Sequence, residues 1–470
     1  MRIETGPRRR LAICDSAGGA SPFIYFWHFA MPLKSYTAPM KCFGGFLFCV
    51  LAVCCAWPQS QPADHLDGYV TRATSGSDFD VNGYHVVCAG VRRGAIESIY
   101  GVRVSAIGCP ANAPFIGEHL VVYGDQHRTG YSINATRIEW RQFKPHEIAG
   151  SAVIDKVEAQ EAAGAQAPVL SIRADGYRIQ ITGNTKVEWG PPLQSIADVK
   201  AGDWIKYKGK QDAAGVLVAA SAQIGPNSIG SGEEKLRAEK DYDPSAVPAD
   251  ARQNYLKDVF TLEGFDPRRF APFRNDEMQA RIEKIGASLV PAYQRSLPKS
   301  DPARIDFRFQ LIDSKRFRDA RALPSGIILV PHQVVERMQN DSQLAAVLAG
   351  AISGALERQE YREKGRQKAA IATSLGGAFV PYARSSLVSA GIYSEEAILE
   401  MEVEQRGRVS LALMRDAGYE IDQAPLAWWL LDSEKPEPLY DIEIPDRALN
   451  LYRILGEVWN NPAGGNSKAD

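Results

Sequence analysis

Residues 342–359 read SQLAAVLAGAISGALERQ, and this stretch decides how the C-terminal half is built. Leu344, Val347, Leu348, Ala351, Ile352, Ala355 and Leu356 recur at the i, i+3, i+4 and i+7 spacing of one apolar helix face. Asn340 and Gln343 stand as a capping pair at its start. Gly350 and Gly354 lie inside the helix, one turn apart, and each costs a helix interior roughly 1 kcal/mol relative to alanine. Small residues at that spacing let another backbone approach closely, a rule best documented in membrane helices. The helix expected around 395–415 is the element placed to move in; decay of an unused site is the alternative.

Working outward, IDFRFQLIDSKRFRDARALPSGIILVPHQVVERM (305–338) reads as a strand, a hairpin and the start of a helix. Downstream, YSEEAILEMEVEQRGRVSLALMRDAGYE (393–420) reads as a helix closed by an A-G-Y turn. Together, over roughly 250–455, these segments resemble the HtpX/BepA-type zinc metallopeptidases, peptidase family M forty-eight. The family's hairpin reads N-A-F-A-L-P-G-G-x-I and its zinc helix E-L-A-A-V-L-A-H-E-I-A-H. In that family two imidazoles one turn apart hold the metal, and the Glu between them activates the bound water. The matching ligand positions here are Gly350 and Gly354, the catalytic Glu position is Ala351, and the third ligand falls on Gln405 or, shifted by one, Glu404.

The resemblance thus implies zinc, and the residues do not supply its ligands. Between 250 and 470 there is one histidine, His332, on the hairpin-to-helix connection, and no cysteine. Zinc brings the pKa of its water from ~15.7 to about 7, and without it hydroxide is not available at neutral pH. Ser353 has no histidine or lysine placed by sequence to activate it. What can outlive the metal is peptide binding, because adding a strand to a sheet edge needs only free backbone groups. The resemblance places that edge at Ala322, Leu323, Pro324, Ser325, Gly326 and Ile327.

The N-terminal half carries an internal repeat over about 66–225. FDVNGYHVV (79–87), GEHLVVYGDQ (117–126) and TGYSINATRIEW (129–140) correspond to LSIRADGYRIQI (170–181), GDWIKYKGKQ (202–211) and AGVLVAASAQI (214–224). Asn82-Gly83 and Asp175-Gly176 between alternating runs are hairpin signals, since both turn residues need positive φ. The expected fold is multidomain: two tandem small antiparallel β-barrels, at 66–145 and 146–225, resembling the OB-like repeats of exported bacterial proteins of unknown function. A polar linker at 226–250 leads to a mainly α-helical α+β, zincin-like metallopeptidase domain at 251–460 and a tail at 461–470. Tyr84, Tyr123, Tyr177 and Trp204 could form a binding face, although cross-strand packing explains them as well.

The net charge of −2 and the lack of a folded basic stretch with interleaved aromatics argue against nucleic acid as a partner. MKCFGGFLFCVLAVCCAWPQSQPADH, from Met40, has the anatomy of a signal peptide, with residues 40–56 removed and cleavage after Ala56 preferred to lipidation at Cys54 or Cys55. Residues 1–39 read as an over-extended start or a disordered leader. The apolar run at 371–392 is broken by Gly376, Gly377, Pro381 and Arg384, which argues against a membrane span. Export leaves Cys88 and Cys109 as the last cysteines, expected to form a disulfide or to remain two buried thiols. The expected protein is therefore exported, periplasmic or envelope-associated, and touches membrane only through an uncleaved leader or lipid anchor. It would bind polypeptide or an envelope protein as an inactive peptidase homologue with no zinc or other cofactor. Action through the β-barrels, or an active metalloendopeptidase with other ligands, are the alternatives.

Overall fold

The computed structural model describes residues 65–88, 96–99, 102–105, 109–110, 112–127, 130–141, 146–160, 170–212, 215–239, 271–314, 319–359, 361–362, 395–432 and 444–460. The stretches read as leader (1–39), signal peptide (40–56) and tail (461–470), and the 371–392 segment, lie outside the described residues. Among the described residues no helix is long and apolar enough to cross a membrane.

Strands β1 (His65–Ser75), β2 (Asp78–Val81), β3 (Tyr84–Cys88), β4 (Ile96–Ile99), β5 (Val102–Ser105), β6 (His119–His127) and β7 (Ser132–Arg141) make a seven-stranded sheet. Its order is β3-β2-β1-β6-β7-β5-β4, and β3 also pairs in parallel with β7. The second sheet holds β8 (Glu147–Gln160), β9 (Leu170–Ala174), β10 (Tyr177–Ile181), β11 (Lys186–Trp189), β12 (Trp204–Gln211) and β13 (Leu217–Gly225) in the order β10-β9-β8-β12-β13-β11. Parallel pairing of β10 with β13 closes five of these strands into a barrel in the middle of the chain. Alternation works as expected on β12, where Ile205, Tyr207 and Gln211 face inward and Lys206, Lys208 and Lys210 face water. Both hairpin turns form as read, with φ of 46° and 78° at Asn82-Gly83 and of 56° and 71° at Asp175-Gly176.

Helix α1 (Ser231–Glu239) follows the barrel, then α2 (Asp276–Leu289) and α3 (Ala292–Ser296). A three-stranded sheet of β14 (Arg308–Ile312), β15 (Arg321–Ala322) and β16 (Ile327–Pro331) has the order β14-β16-β15. Helices α4 (His332–Arg337), α5 (Asp341–Leu356), α6 (Glu395–Asp416), α7 (Ala424–Asp432) and α8 (Asp446–Ile454) complete it, with one π-helical turn at Leu455–Trp459.

Two expectations are corrected here. The architecture is not two tandem antiparallel OB-like barrels followed by a separate zincin-like domain. The two sheets differ in strand number, each contains a parallel pairing, and Ser60–Asp470 forms one compact unit. A single core runs from Ile154, Ile172 and Ile205 inside the barrel to Leu344, Leu348 and Met414 on the helices. Glycine spacing and alternation report where strands turn; they say little about which distant strand becomes the partner. The linker is corrected as well, because part of it is helix α1. Leu236 is buried there, and Glu233, also buried, pairs with Arg237 at 2.9 Å and with Arg358. Polar composition alone points to a linker, whereas here the charges of Glu233, Arg237 and Arg358 hold a helix against the body.

Candidate functional site

Helix α5 starts as expected: Asn340 Oδ1 accepts from Gln343 N at 2.9 Å. Gln343 does not reach back to Asn340, however; its Oε1 accepts from Gln339 N at 2.9 Å. Nor does the helix show one apolar face, since every residue from Gln343 to Ser353 is buried. A helix apolar all round belongs at the centre of a core. It packs against α2, α6, α7 and the small sheet.

The two glycines mark where other groups come close. A Cβ added to Gly350 would stand 3.3 Å from Arg447 Nη2 and 3.5 Å from Trp428 Cζ2. One added to Gly354 would stand 3.4 Å from Arg406 Nε. The Arg447 guanidinium lies 3.2 Å from the centre of the Trp428 ring, and its Nη1 donates to Asp319 Oδ2 at 2.7 Å. Arg406 donates from Nε and Nη2 to Gln359 Oε1 at 3.0 and 2.7 Å. Burial, and next the charge of Arg447, lower the affinity of the Arg406 guanidinium for its proton, so the two cations face each other across little water. Between them is a cavity of about 10 Å³ lined by Gly350, Arg406, Trp428 and Arg447. Ser353 is fully buried and its Oγ donates to Gly350 O at 2.9 Å, an ordinary helix back-bond.

The family's other positions point elsewhere. Gln405 Nε2 donates to Ser151 O at 3.0 Å on β8, and Glu404 accepts from Arg453 Nη2 at 2.5 Å. Ala351 is buried. One residue on from Gln405, a step of about 100° round the helix brings Arg406 to the glycines instead. Sequence reading missed Arg406, Arg447 and Trp428; only their charge and aromaticity were visible, with nothing to bring them together. Among the described residues no three His, Cys, Asp or Glu side chains converge, so this donor set does not fit a zinc site. His332 stacks on Phe273 with ring centres 4.0 Å apart, away from the glycines on α4.

Of the proposed peptide edge, Ala322 alone lies on the edge strand β15, where it pairs with Ile328 on its inner side. Leu323, Pro324, Ser325 and Gly326 form the turn, closed by Gly326 N donating to Leu323 O at 2.9 Å, and Ile327 begins the central strand. Among the described residues Arg321–Ala322 is one edge strand of this sheet, and β14 is the other. Cys88 and Cys109 are free thiols within hydrogen-bond reach of each other, and burial pushes Cys88 up to about 12.

A second concavity, about 400 Å³, lies on the barrel between Trp204, Lys206, Gly190, Asn227 and Arg358. Arg358 is fixed there by Asn227 Oδ1 at 3.3 Å and by its pair with Glu233. Barrel and helices are joined by buried charge. Arg408 on α6 donates to both Asp175 oxygens at 2.8 and 2.9 Å, and Tyr207 OH donates to Asp175 Oδ2 at 2.6 Å. Arg173 bridges Asp155 and Asp416. Glu357 Oε1 accepts from Val153 N, and burial raises this carboxyl to about 8.

No family model matches the chain, and no curated protein matches it.

Proposed function

We propose that the protein is a metallopeptidase-like polypeptide binder without zinc chemistry, exported to the periplasm or cell envelope on the strength of residues 40–56. The observation that carries the reading is the filling of the Gly350–Gly354 face by Arg406, Arg447 and Trp428, where the resembled family holds its metal. Positive charge stands at that place, with Asp319 paired to Arg447, and none of the matching positions Gly350, Ala351 and Gly354 has a side chain that can move a proton. The reading has an extended chain add at the edge strand Arg321–Ala322.

The test uses purified full-length protein. It is expected to hold far less than stoichiometric zinc, to leave unfolded casein intact with or without chelator, and to bind a reduced, carboxymethylated polypeptide. Stoichiometric zinc with chelator-sensitive cleavage would make it an active metalloendopeptidase with other ligands. The barrel concavity favours a second reading, an interaction protein acting through its β-strands. If Trp204→Ala abolishes polypeptide binding and Arg447→Gln leaves it intact, that reading replaces the first.

A further inference from the structure

The concavity on the barrel is built on a strand face. Ser151 on β8, Lys206 on β12 and Gln223 on β13 stand side by side in one cross-strand row, and all three line it. Trp204, two residues before Lys206, shares their face because successive side chains alternate. Opposite Trp204 on β13 stands Gly225, which adds no side chain to the space. The Arg362 guanidinium lies 4.9 Å from the centre of the indole without lining the concavity, so the ring is held from outside while it meets the opening. The volume of about 400 Å³ falls among those of small-molecule sites, roughly 300–1,000 Å³.

Its chemistry is cationic and rich in donors. The lining includes Lys206 and Arg358 and no carboxylate. Arg358 is already engaged: Nη1 donates to Asn227 Oδ1 at 3.3 Å and to Ser228 O at 3.2 Å, and Nη2 pairs with Glu233. Lys206 is exposed and has no partner among the described residues; the same holds for the Trp204 N–H, the Gln223 amide and the Ser151 hydroxyl. Glu188 follows Gln223 in the row, on β11, but forms no pair with Lys206 and does not line the concavity. One free cation calls for one negative charge, the amide and hydroxyls for hydroxyl partners, and the indole for an apolar face.

We propose that this concavity binds a uronic acid residue of a saccharide. The C–H face of the pyranose lies against the indole, whose π face is negative. The carboxylate meets Lys206, and ring hydroxyls exchange hydrogen bonds with Gln223 and Ser151. A phosphomonoester, with a charge of about −1.5 to −2, would meet a single free cation. An extended peptide adds through backbone groups at a strand edge, whereas β12 is flanked by β8 and β13 and offers side chains alone. The site lies on a different sheet from β15, and the inference stands apart from the polypeptide reading.

The test uses the full-length protein and two probes, digalacturonic acid and a glucuronate-bearing disaccharide. Each is compared by calorimetry with its methyl ester and with glutarate, which carries charge without a ring. At least one free acid is expected to bind roughly tenfold or more tighter than its ester, in line with a charge-assisted bond, and tighter than glutarate. Lys206→Gln should remove the preference for acid over ester, and Lys206→Arg should keep part of it. Equal binding of acid and ester, glutarate as tight as the sugars, or no binding of either acid overturns the proposal. So does a Lys206-dependent gain for a Glu-bearing Val/Ala octapeptide with none for the sugars, which would assign the concavity to polypeptide. The contrast of acid with ester is measured on the natural sequence, so it does not depend on a variant folding.

Discussion

The two β-sheets turn alike at Asn82-Gly83 and Asp175-Gly176 and end in different circumstances. At the first, Asn82 looks inward on its own sheet, its Oδ1 accepting from Tyr69 N at 3.0 Å. At the second, Asp175 occupies the matching turn and takes both a guanidinium from α6 and the Tyr207 hydroxyl. The first sheet keeps a small core of its own around Phe79, Leu120, Ile133 and Ile138; the second shares its core with the helices. The turns differ in chemistry, amide against carboxylate, and only the carboxylate turn takes a helix arginine; the first sheet meets the helices instead through Gly117, beside Tyr452 O and Gly456 N, and through Asn460 Nδ2 donating to Ile116 O at 3.0 Å. Gly176 completes the lock at the carboxylate turn, because a Cβ there would meet the Arg408 backbone carbonyl carbon at 2.6 Å.

The sharpest way to break the contrast is Asp175→Asn. Asparagine tolerates the turn, so the change isolates the charge and leaves buried Arg408 with only the more distant Glu404, at 3.6 Å, as a carboxylate partner. A loss of about 3–5 kcal/mol is expected in urea unfolding, as for other broken buried pairs. A loss below about 1 kcal/mol would show that the lock is apolar packing alone.

Acidity should act on the second sheet and spare the first. Glu357 rises from 4.5 to about 8 and Asp155 from 3.8 to about 6, both chiefly by burial. Their folded forms hold more protons than their unfolded forms, so this contribution favours folding at low pH. It falls as pH rises, between about 4 and 6 for Asp155 and between about 4.5 and 8 for Glu357, by a few kcal/mol in order of magnitude. Hydrogen exchange, corrected for its intrinsic rate, should show protection of β8 falling across that range while β1 and β6 hold steady. Glu357→Gln should flatten the trend, and an unchanged slope would refute the assignment.

Among the described residues, the thiols open to oxidation, Cys88 and Cys109, belong with the first sheet. Closing Cys88 onto Cys109 encloses a loop of about twenty residues, worth roughly 3 kcal/mol where the bridge is unstrained. Protein matured in an oxidising compartment is expected to yield the linked peptide in non-reducing maps and to unfold later in the first sheet. Recovery of two free thiols from such protein would remove the bridge.

Asn82→Ala gives the smallest effect, about 1 kcal/mol, from two lost hydrogen bonds to backbone, one of them long and exposed, and an alanine at positive φ. Thermal unfolding would check it. An effect as large as that of Asp175→Asn would erase the difference between the two turns.

What the chain determines by itself is local. The Asn-Gly and Asp-Gly turns, the alternation of β12, the Asn340 cap and the extent of α5 each depend on residues a few positions apart, where spacing alone selects the conformation. Partnership depended on distance. The parallel pairings of β3 with β7 and of β10 with β13, the joining of Asp175 to Arg408, and the meeting of Arg406, Arg447 and Trp428 over Gly350 unite residues far apart in sequence. Their pairing is chosen by the burial of charge and by shape once the whole chain has packed. Two glycines in a helix announced that something approaches there; only the tertiary structure decided that guanidinium groups, rather than a backbone, do so.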